Sequence, residues 1–438
     1  MNAPNRTGRR AAFSSFGSPG YPILWWGGLF SFMSVQMQFL LRGILAWELT
    51  EREGALGLAY LCFGISLLIA TPLGGVASDR LSKRAVLVVS QAVIMSAAVG
   101  MGIAVITGVV EFWMLLLAAV AQGGAFGFFG PARIAIASDI VGRHQIGNAI
   151  ALSLLSMNGT RVFAPAIAGV LAGVAVIGIG GAYVISGACS LLSFAFLLRL
   201  PRTPNRVGPG AGRARPLAEI RAGVAYVAAR RSLRLLVVSS FVVIMFGFNY
   251  VAFLPALIEG EFGLSDSWVG LASSASAFGA VAVSLPLAAR ADSPWAKAAM
   301  TIGGFAFGMT VVALGAAPTF WVAFAIICVV GASTTVFQTL SSTLALAMSD
   351  DEHQGRVQSL LQLSFAGFGI AALPLGALAE AIGLRPTIMG MGAVVAIAIT
   401  AYLMAEGGWR TVRPPPRTGH TATVEGDVDL ARSPVAGS

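Results

Sequence analysis

Long, unbroken apolar runs dominate this chain of 438 residues. A helix needs about 20 apolar residues to cross a bilayer, and the runs have that length. Lipid offers the backbone no hydrogen-bond partners, so continuous runs form helices there, and the absence of a two-residue alternation argues against a β-barrel. Only 11% of the residues are charged, against about 25% in an ordinary soluble domain. The sequence therefore predicts an all-α membrane protein.

The apolar runs form two groups of six. They cover residues 22–47, 56–77, 85–106, 112–137, 147–174 and 177–198, then 233–258, 267–289, 298–316, 319–348, 357–382 and 386–405. A shift of 209 residues lays His144-Gln145 on His353-Gln354 and Pro165 on Pro374. Internal repeats of this kind are typical of secondary transporters. We expect twelve transmembrane helices in two pseudo-symmetric six-helix bundles, residues 22–199 and 233–405.

Three polar segments flank the bundles. Residues 1–21 are interpreted as a cytoplasmic tail rather than a cleaved signal peptide, because the apolar run that follows is too long. Residues 200–232 form a basic central loop, in which Leu217, Ile220, Val224 and Val227 recur at helical spacing. That spacing predicts an amphipathic helix lying on an anionic membrane surface. Residues 406–438 are expected to be a disordered cytoplasmic tail.

The basic residues lie on alternate loops. Cytoplasmic termini would place the following residues inside: Arg80, Lys83, Arg84, Arg133, Arg143, Arg290, Lys297 and Arg356. Only Arg52 and Arg385 would then lie outside, and this asymmetry is the positive-inside pattern. The net charge of +9 therefore reflects membrane topology, and no nucleic-acid partner is expected.

A short charged turn joins the second and third runs. Its residues Gly75, Asp79, Arg80, Lys83 and Arg84 resemble the loop signature of the major facilitator superfamily. Further motifs resemble the bacterial branch that includes macrolide-efflux and siderophore-export proteins: Trp47-Glu-Leu-Thr50, Gly130-Pro-Ala-Arg133, Asn148-Ala-Ile-Ala-Leu152 and Asn158-x-x-Arg161-x-x-x-Pro165. The resemblance covers nearly the whole membrane part. It implies an alternating-access exporter, not an enzyme, in a bacterial inner (plasma) membrane with both termini cytoplasmic.

The five residues of the turn are interpreted as a conformational latch. The bases would hold Asp79 in one state and release it in the other, while Gly74 and Gly75 let helices approach closely. The alternative is that these charges only set topology. The chain departs from the drug-antiporter pattern at Ala119, where an Arg is usual. It also departs in the fifth run, where the proline motif is reduced to Thr160, Ala164, Pro165, Ala168 and Gly169. A coupling proton carried by the usual residues is therefore not implied.

Charged residues inside a membrane are costly and mark functional sites. Arg42 either contacts the substrate or reaches the surface or Glu48, and Arg161 is expected to face the cavity. Other candidates for substrate or coupling contacts are Asn158, Gln36, Gln38, Asn249, Tyr250, Gln338 and Gln362, although such residues also bond neighbouring helices together. No helix centre contains Asp or Glu. Two buried Arg without acids predict a neutral or anionic cargo.

The chain contains no phosphate-binding loop and no Cys/His metal pattern, so neither cofactor nor metal is expected. We expect a monomer in the lipid bilayer that exports small hydrophobic drug- or siderophore-like compounds, driven by an ion gradient or the substrate's own gradient. A proton is one candidate for the coupling ion. The alternatives are an uptake symporter on the same fold and a non-transporting membrane sensor.

Overall fold

The structure is a computed structural model that describes residues 14–142, 145–201, 216–288, 295–350 and 353–407. The predicted N-terminal tail up to residue 13 and the tail from residue 408 lie outside these ranges. A short 3-10 turn, Ser14–Gly17, precedes the first long helix. The helices are α1 (Tyr21–Thr50), α2 (Glu53–Arg80), α3 (Lys83–Ile106), α4 (Phe112–Val141), α5 (Ile146–Gly173), α6 (Gly178–Leu198), α7 (Pro216–Ala229), α8 (Arg231–Phe246), α9 (Asp266–Ala288), α10 (Ala296–Gly315), α11 (Phe320–Ala347), α12 (Gln354–Ile382) and α13 (Leu384–Ala405).

The helices confirm the predicted all-helical membrane fold. Within the described residues, ten helices are long and apolar enough to cross a membrane, and α12 contributes a shorter apolar segment, Gly367–Ile382. Together with α5 they give six membrane helices before α7 and six after it. Most boundaries fall within four residues of the predicted ones, because turns and charges interrupt the apolar runs where the helices end.

The seventh apolar run, predicted as one helix over 233–258, is divided in the structure. The α-helix α8 ends at Phe246, a 3-10 turn follows over Gly247–Val251, and a π-turn covers Ala256–Glu261. Asn249 stabilises the break, because its Nδ2 donates to the carbonyl oxygen of Phe368 on α12 over 3.2 Å. Turns of this kind interrupt the regular helical ladder where helices meet functional sites.

The bundles meet at one face of the molecule. We call the face that carries Ser14 and Gly407 the terminal face and the opposite one the far face. Toward the far face, the backbone of Gly54 donates to Glu380 Oε1 over 3.1 Å, and a Cβ on Gly57 would lie 2.5 Å from the Ala372 carbonyl oxygen. The two bundles are therefore packed backbone to backbone between α2 and α12.

The hydrophobic core follows the same division. One large cluster runs through both bundles, including Leu40 and Leu45 of α1 and Leu257 of the π-turn. The terminal-face half of the first bundle has a separate core, built on Leu87 and Phe129. The bundles thus share a core toward the far face, whereas the first bundle keeps its own core toward the terminal face.

The central loop contains a helix, α7, over the segment where the sequence predicts an amphipathic one. Tyr226 and Val227 are buried, while Val224, which was predicted on the same apolar face, is 49% exposed. Tyr226 stacks on His353 with ring centroids 4.0 Å apart, and its hydroxyl donates to Asp350 Oδ2 over 3.0 Å. The Arg230 guanidinium lies 3.7 Å from the centroid of the Tyr226 ring. These contacts attach α7 to the connection between α11 and α12.

Candidate functional site

A cavity of about 280 Å³ lies between the two bundles. Helices α1, α2, α4 and α5 form one wall, and α8, α9, α11 and α12 with the broken segment after α8 form the other. Small-molecule sites span roughly 300–1,000 Å³, so the cavity suits a compact organic molecule. Its position at the junction of two repeats is where secondary transporters bind their cargo.

Two crossings close the cavity toward the far face. Just beyond the lining residues Pro165 of α5 and Ser273 of α9, Gly169 lies against Gly270, where a Cβ on either residue would overlap the backbone of the other. The second crossing, on the other side of the cavity, is that of α2 with α12 at Gly57 and Ala372. Phe63 and Phe368 line the cavity on the terminal-face side of this crossing. Small residues permit such close approaches between membrane helices. The structure is therefore the state in which the far face is shut.

Five residues singled out from the sequence line the cavity: Arg161, Gln36, Tyr250, Gln338 and Pro165. Arg161 stands on α5, one turn from Pro165, which places a cation in the wall of the first bundle. The Tyr250 hydroxyl lies 3.3 Å from Ser276 Oγ of α9. Within the described part of the chain, no Asp or Glu lines this cavity.

Two other predicted residues, Gln38 and Asn249, lie elsewhere. Gln38 is 4% exposed, and its Nε2 donates to Ser34 Oγ over 3.0 Å. The hydroxyl of Ser190 on α6 donates to the same Ser34 oxygen over 2.7 Å, so Gln38 belongs to a polar contact between helices. Asn249 is buried and bonded to α12 rather than to the cavity. The side chains of Asn158 and Gln362 lie outside the described part of the structure, and their predicted role stays a prediction.

Arg42 does not line the cavity. It is 3% exposed inside the first bundle, which excludes a side chain that reaches the membrane surface. One of its terminal nitrogens donates to Gln122 Oε1 of α4, while the other, and Gln122 Nε2, are buried without a hydrogen-bond partner. The guanidinium lies 4.7 Å from the centroid of the Phe63 ring, which itself faces the cavity. Arg42 therefore stands behind the cavity wall, beside Gln122 of α4.

The helix α2 continues through Arg80 and α3 begins at Lys83, so only Leu81 and Ser82 form the turn between them. The charged residues of the predicted turn therefore lie on the ends of the two helices. Lys83 pairs with Asp139 at the end of α4, with 2.6 Å between Nζ and Oδ2. Arg84 donates to the carbonyl oxygen of Leu198 on α6. Both partners belong to the first bundle. The Asp79 side chain lies outside the described part, so its role in a latch stays a prediction.

One detail of the latch is corrected by the structure. Gly74, rather than Gly75, allows a close approach: a Cβ on Gly74 would lie 2.7 Å from the Gly127 carbonyl oxygen of α4, whereas one on Gly75 would meet nothing within 4 Å. Neighbouring residues of a helix point in directions about 100° apart, so only one of two adjacent glycines faces a given neighbour.

The structure also buries two basic residues, Lys297 and Arg133, that the sequence predicts on the cytoplasmic side. Lys297 pairs with Glu406 over 3.0 Å, with the two side chains only 10% and 4% exposed. Arg133 is 8% exposed, and its guanidinium lies 4.7 Å from the centroid of the Phe32 ring. The sequence signal for Lys297 and Glu406 was weak, because 109 residues separate them.

Two six-helix bundles around a cavity, with one face closed by interbundle crossings, define a membrane transporter of the major facilitator type. The chain belongs to the family described as transmembrane secretion effector, whose model matches residues 10–435. It is also similar to the MFS-type transporter YfiS of Bacillus subtilis (strain 168), at 24% identity over 161 residues, which are 36% of each chain.

Solved structures show the same fold at low sequence identity. A bacterial homolog of the human lysosomal transporter Spinster, in an inward-facing and unoccupied conformation, has a TM-score of 0.68 at 16% identity, covering 88% of this chain and 96% of that one. A mutant of the nucleoside transporter NupG has a TM-score of 0.67 at 12% identity, covering 88% and 99%. A peptide transporter of the POT family has a TM-score of 0.65 at 14% identity, covering 90% of this chain and 99% of that one. These likenesses show that the chain has the same multi-pass fold.

Proposed function

We propose that this protein exports small hydrophobic compounds, neutral or anionic, from the bacterial cytoplasm across the plasma membrane. The observation that carries the proposal is the charge of the cavity: Arg161 lines it, and no Asp or Glu among the described residues does. A cation enclosed by low-dielectric walls attracts anions and repels cations. The family description as a secretion effector supports the outward direction.

The proposal includes the orientation of the chain. Lys83, Lys297 and Arg230 all lie at the terminal face, which the positive-inside pattern assigns to the cytoplasm. The state with a shut far face would then load cargo from the cytoplasm. We propose an ion gradient as the energy source and a monomer as the working unit, because each chain contains both bundles and the cavity between them.

The test is efflux from cells that overexpress the full chain. Cells are loaded with the anionic dye 7-hydroxycoumarin-3-carboxylate or with the cation ethidium, and the decline of cell-associated fluorescence is followed with and without a protonophore. We expect coumarin efflux to accelerate with expression, to slow with the protonophore and to be lost in Arg161→Gln. Ethidium efflux that follows expression, with no coumarin efflux, would overturn the charge assignment.

A further inference from the structure

Both walls of the cavity contain apolar and aromatic residues, but they differ in their polar groups. The wall of the first bundle is apolar and partly aromatic apart from Gln36 and Arg161; its apolar members include Val35, Phe39, Phe63, Leu67, Phe126 and Met157. Aromatic rings of this kind stack against flat apolar groups. This wall fits the apolar part of a cargo and places one positive charge beside it.

The wall of the second bundle carries a row of polar side chains, most of them hydroxyls. On α11, Thr334, Thr335, Gln338, Thr339 and Ser342 face the cavity at intervals of three and four residues. Such intervals place side chains on one face of a helix. Ser273 and Ser276 of α9 and Ser240 of α8 extend the row. We call this set the hydroxyl wall.

Several polar atoms of the hydroxyl wall have no partner. Ser240 Oγ, Thr334 Oγ1 and Gln338 Nε2 are buried without a hydrogen bond. The hydroxyl of Thr335 donates to the Gly331 carbonyl oxygen over 2.8 Å, and its lone pairs remain available as acceptors. A buried polar atom without a partner lowers stability. The wall thus offers both donors and acceptors to a molecule in the cavity.

We propose that the cargo is an amphipathic organic anion with two unlike edges: a flat apolar edge that carries the negative charge, and an opposite edge that bears several hydroxyl groups, as in a glycosylated aromatic acid. This inference rests on the proposed function and narrows its substrate class. The apolar edge stacks on Phe39 and Phe63 with its anionic group toward Arg161. The hydroxyl edge satisfies the unpartnered atoms of the hydroxyl wall.

Three fluorescent probes separate the two edges. 3-Carboxyumbelliferyl galactoside has the aromatic ring, the carboxylate and the sugar; umbelliferyl galactoside lacks the carboxylate; 7-hydroxycoumarin-3-carboxylate lacks the sugar. Binding to the purified full-length protein is measured by equilibrium dialysis, and transport is measured in proteoliposomes. We expect the first probe to bind most tightly, with the sugar contributing about three- to tenfold for each hydrogen bond that becomes effective.

Single substitutions test the assignment of the walls. Thr334→Val and Thr335→Val should lower affinity for the galactosides and leave 7-hydroxycoumarin-3-carboxylate unchanged. Arg161→Gln should lower affinity for the two carboxylates only. The control is Thr310→Val on α10, because the Thr310 hydroxyl bonds to its own helix outside the cavity. This variant should change neither the affinity for the galactosides nor the affinity for the carboxylates.

The outcomes distinguish the inference from the proposed function. If 7-hydroxycoumarin-3-carboxylate is transported but the sugar adds no affinity, or if the valine variants bind galactosides as well as the wild type does, the two-edged cargo is overturned and the exporter proposal stands. If none of the probes binds or is transported, both are overturned.

Discussion

Gly169 of α5 lies against Gly270 of α9 with no room for a side chain on either residue. This contact joins the two bundles near the far face. Its partner on the other side of the cavity is the crossing of Gly57 with the backbone of Ala372. Closure of the far face therefore depends on glycine residues, which have no side chain to hold the helices apart.

Gly270→Ala should open the far face. The added Cβ would overlap the backbone of Gly169 and push α5 and α9 apart. Spin labels at Val174→Cys and Ser265→Cys, beyond the far-face ends of the two helices, report the change in a background where the native cysteines are replaced by serine. We expect electron–electron distances to shift to longer values. Gly159→Ala on α5 is the matched control, because its Cβ would meet nothing within 4 Å; a shift as large there would contradict the prediction.

Arg42 and Gln122 should be energetically coupled. Gln122→Leu leaves a buried cation without its acceptor, and Arg42→Met leaves Gln122 unpaired; each loss costs about 1–3 kcal/mol, with the unpaired cation at the upper end. The double variant removes both partners and should lose less than the sum of the two. Unfolding free energies in mixed detergent micelles measure this cycle. Additive losses would show that the hydrogen bond contributes nothing.

Lys297→Met should be strongly destabilising, because it leaves the Glu406 carboxylate buried at 4% exposure. The expected loss in unfolding free energy is about 3–5 kcal/mol, and Lys297→Met with Glu406→Leu should recover most of it. The contrasting pair is Arg52 and Glu380, whose side chains are 74% and 37% exposed. Arg52→Met should cost about 0–1 kcal/mol in the same detergent measurement. Equal losses at the two sites would refute the distinction.

Tyr226 should hold α7 in place. Tyr226→Ala removes both the stack on His353 and the hydrogen bonds with Asp350, whereas Tyr226→Phe keeps the ring and loses only the hydroxyl. Amide hydrogen exchange over Pro216–Ala229 should therefore be fastest in the alanine variant and intermediate in the phenylalanine variant. Unchanged exchange in Tyr226→Ala would mean that other contacts attach the helix.

The fold could be predicted from the sequence because each membrane helix is encoded locally, by a run of apolar residues ending at turns and charges. Arg42 shows a feature that local sequence does not predict. Its depth in the membrane was evident, but whether it faces the cavity or the bundle interior depends on the rotation of α1 against α2 and α4. The hydroxyl wall left a stronger signal: Thr334, Thr335 and Gln338 recur at helical spacing, although only Gln338 was singled out.

Long-range partners account for the other differences. Lys83 contacts Asp139, 56 residues away, and no local pattern selects that carboxylate over Asp79. The division of the seventh membrane helix was also missed, although Gly247, Asn249 and Pro255 lie close to the break, because the break is stabilised from α12 by the Phe368 carbonyl. Such contacts arise only when the bundles pack.

The residues of the backbone-to-backbone crossings, which close the far face, are different from the residues that line the cavity. None of the four residues in these crossings, Gly57, Gly169, Gly270 and Ala372, is among the residues that line the cavity. Cargo preference can therefore be redesigned by substitutions in the walls while the closing surfaces stay intact. A library confined to cavity positions should yield transporters with new substrates and the same conformational cycle.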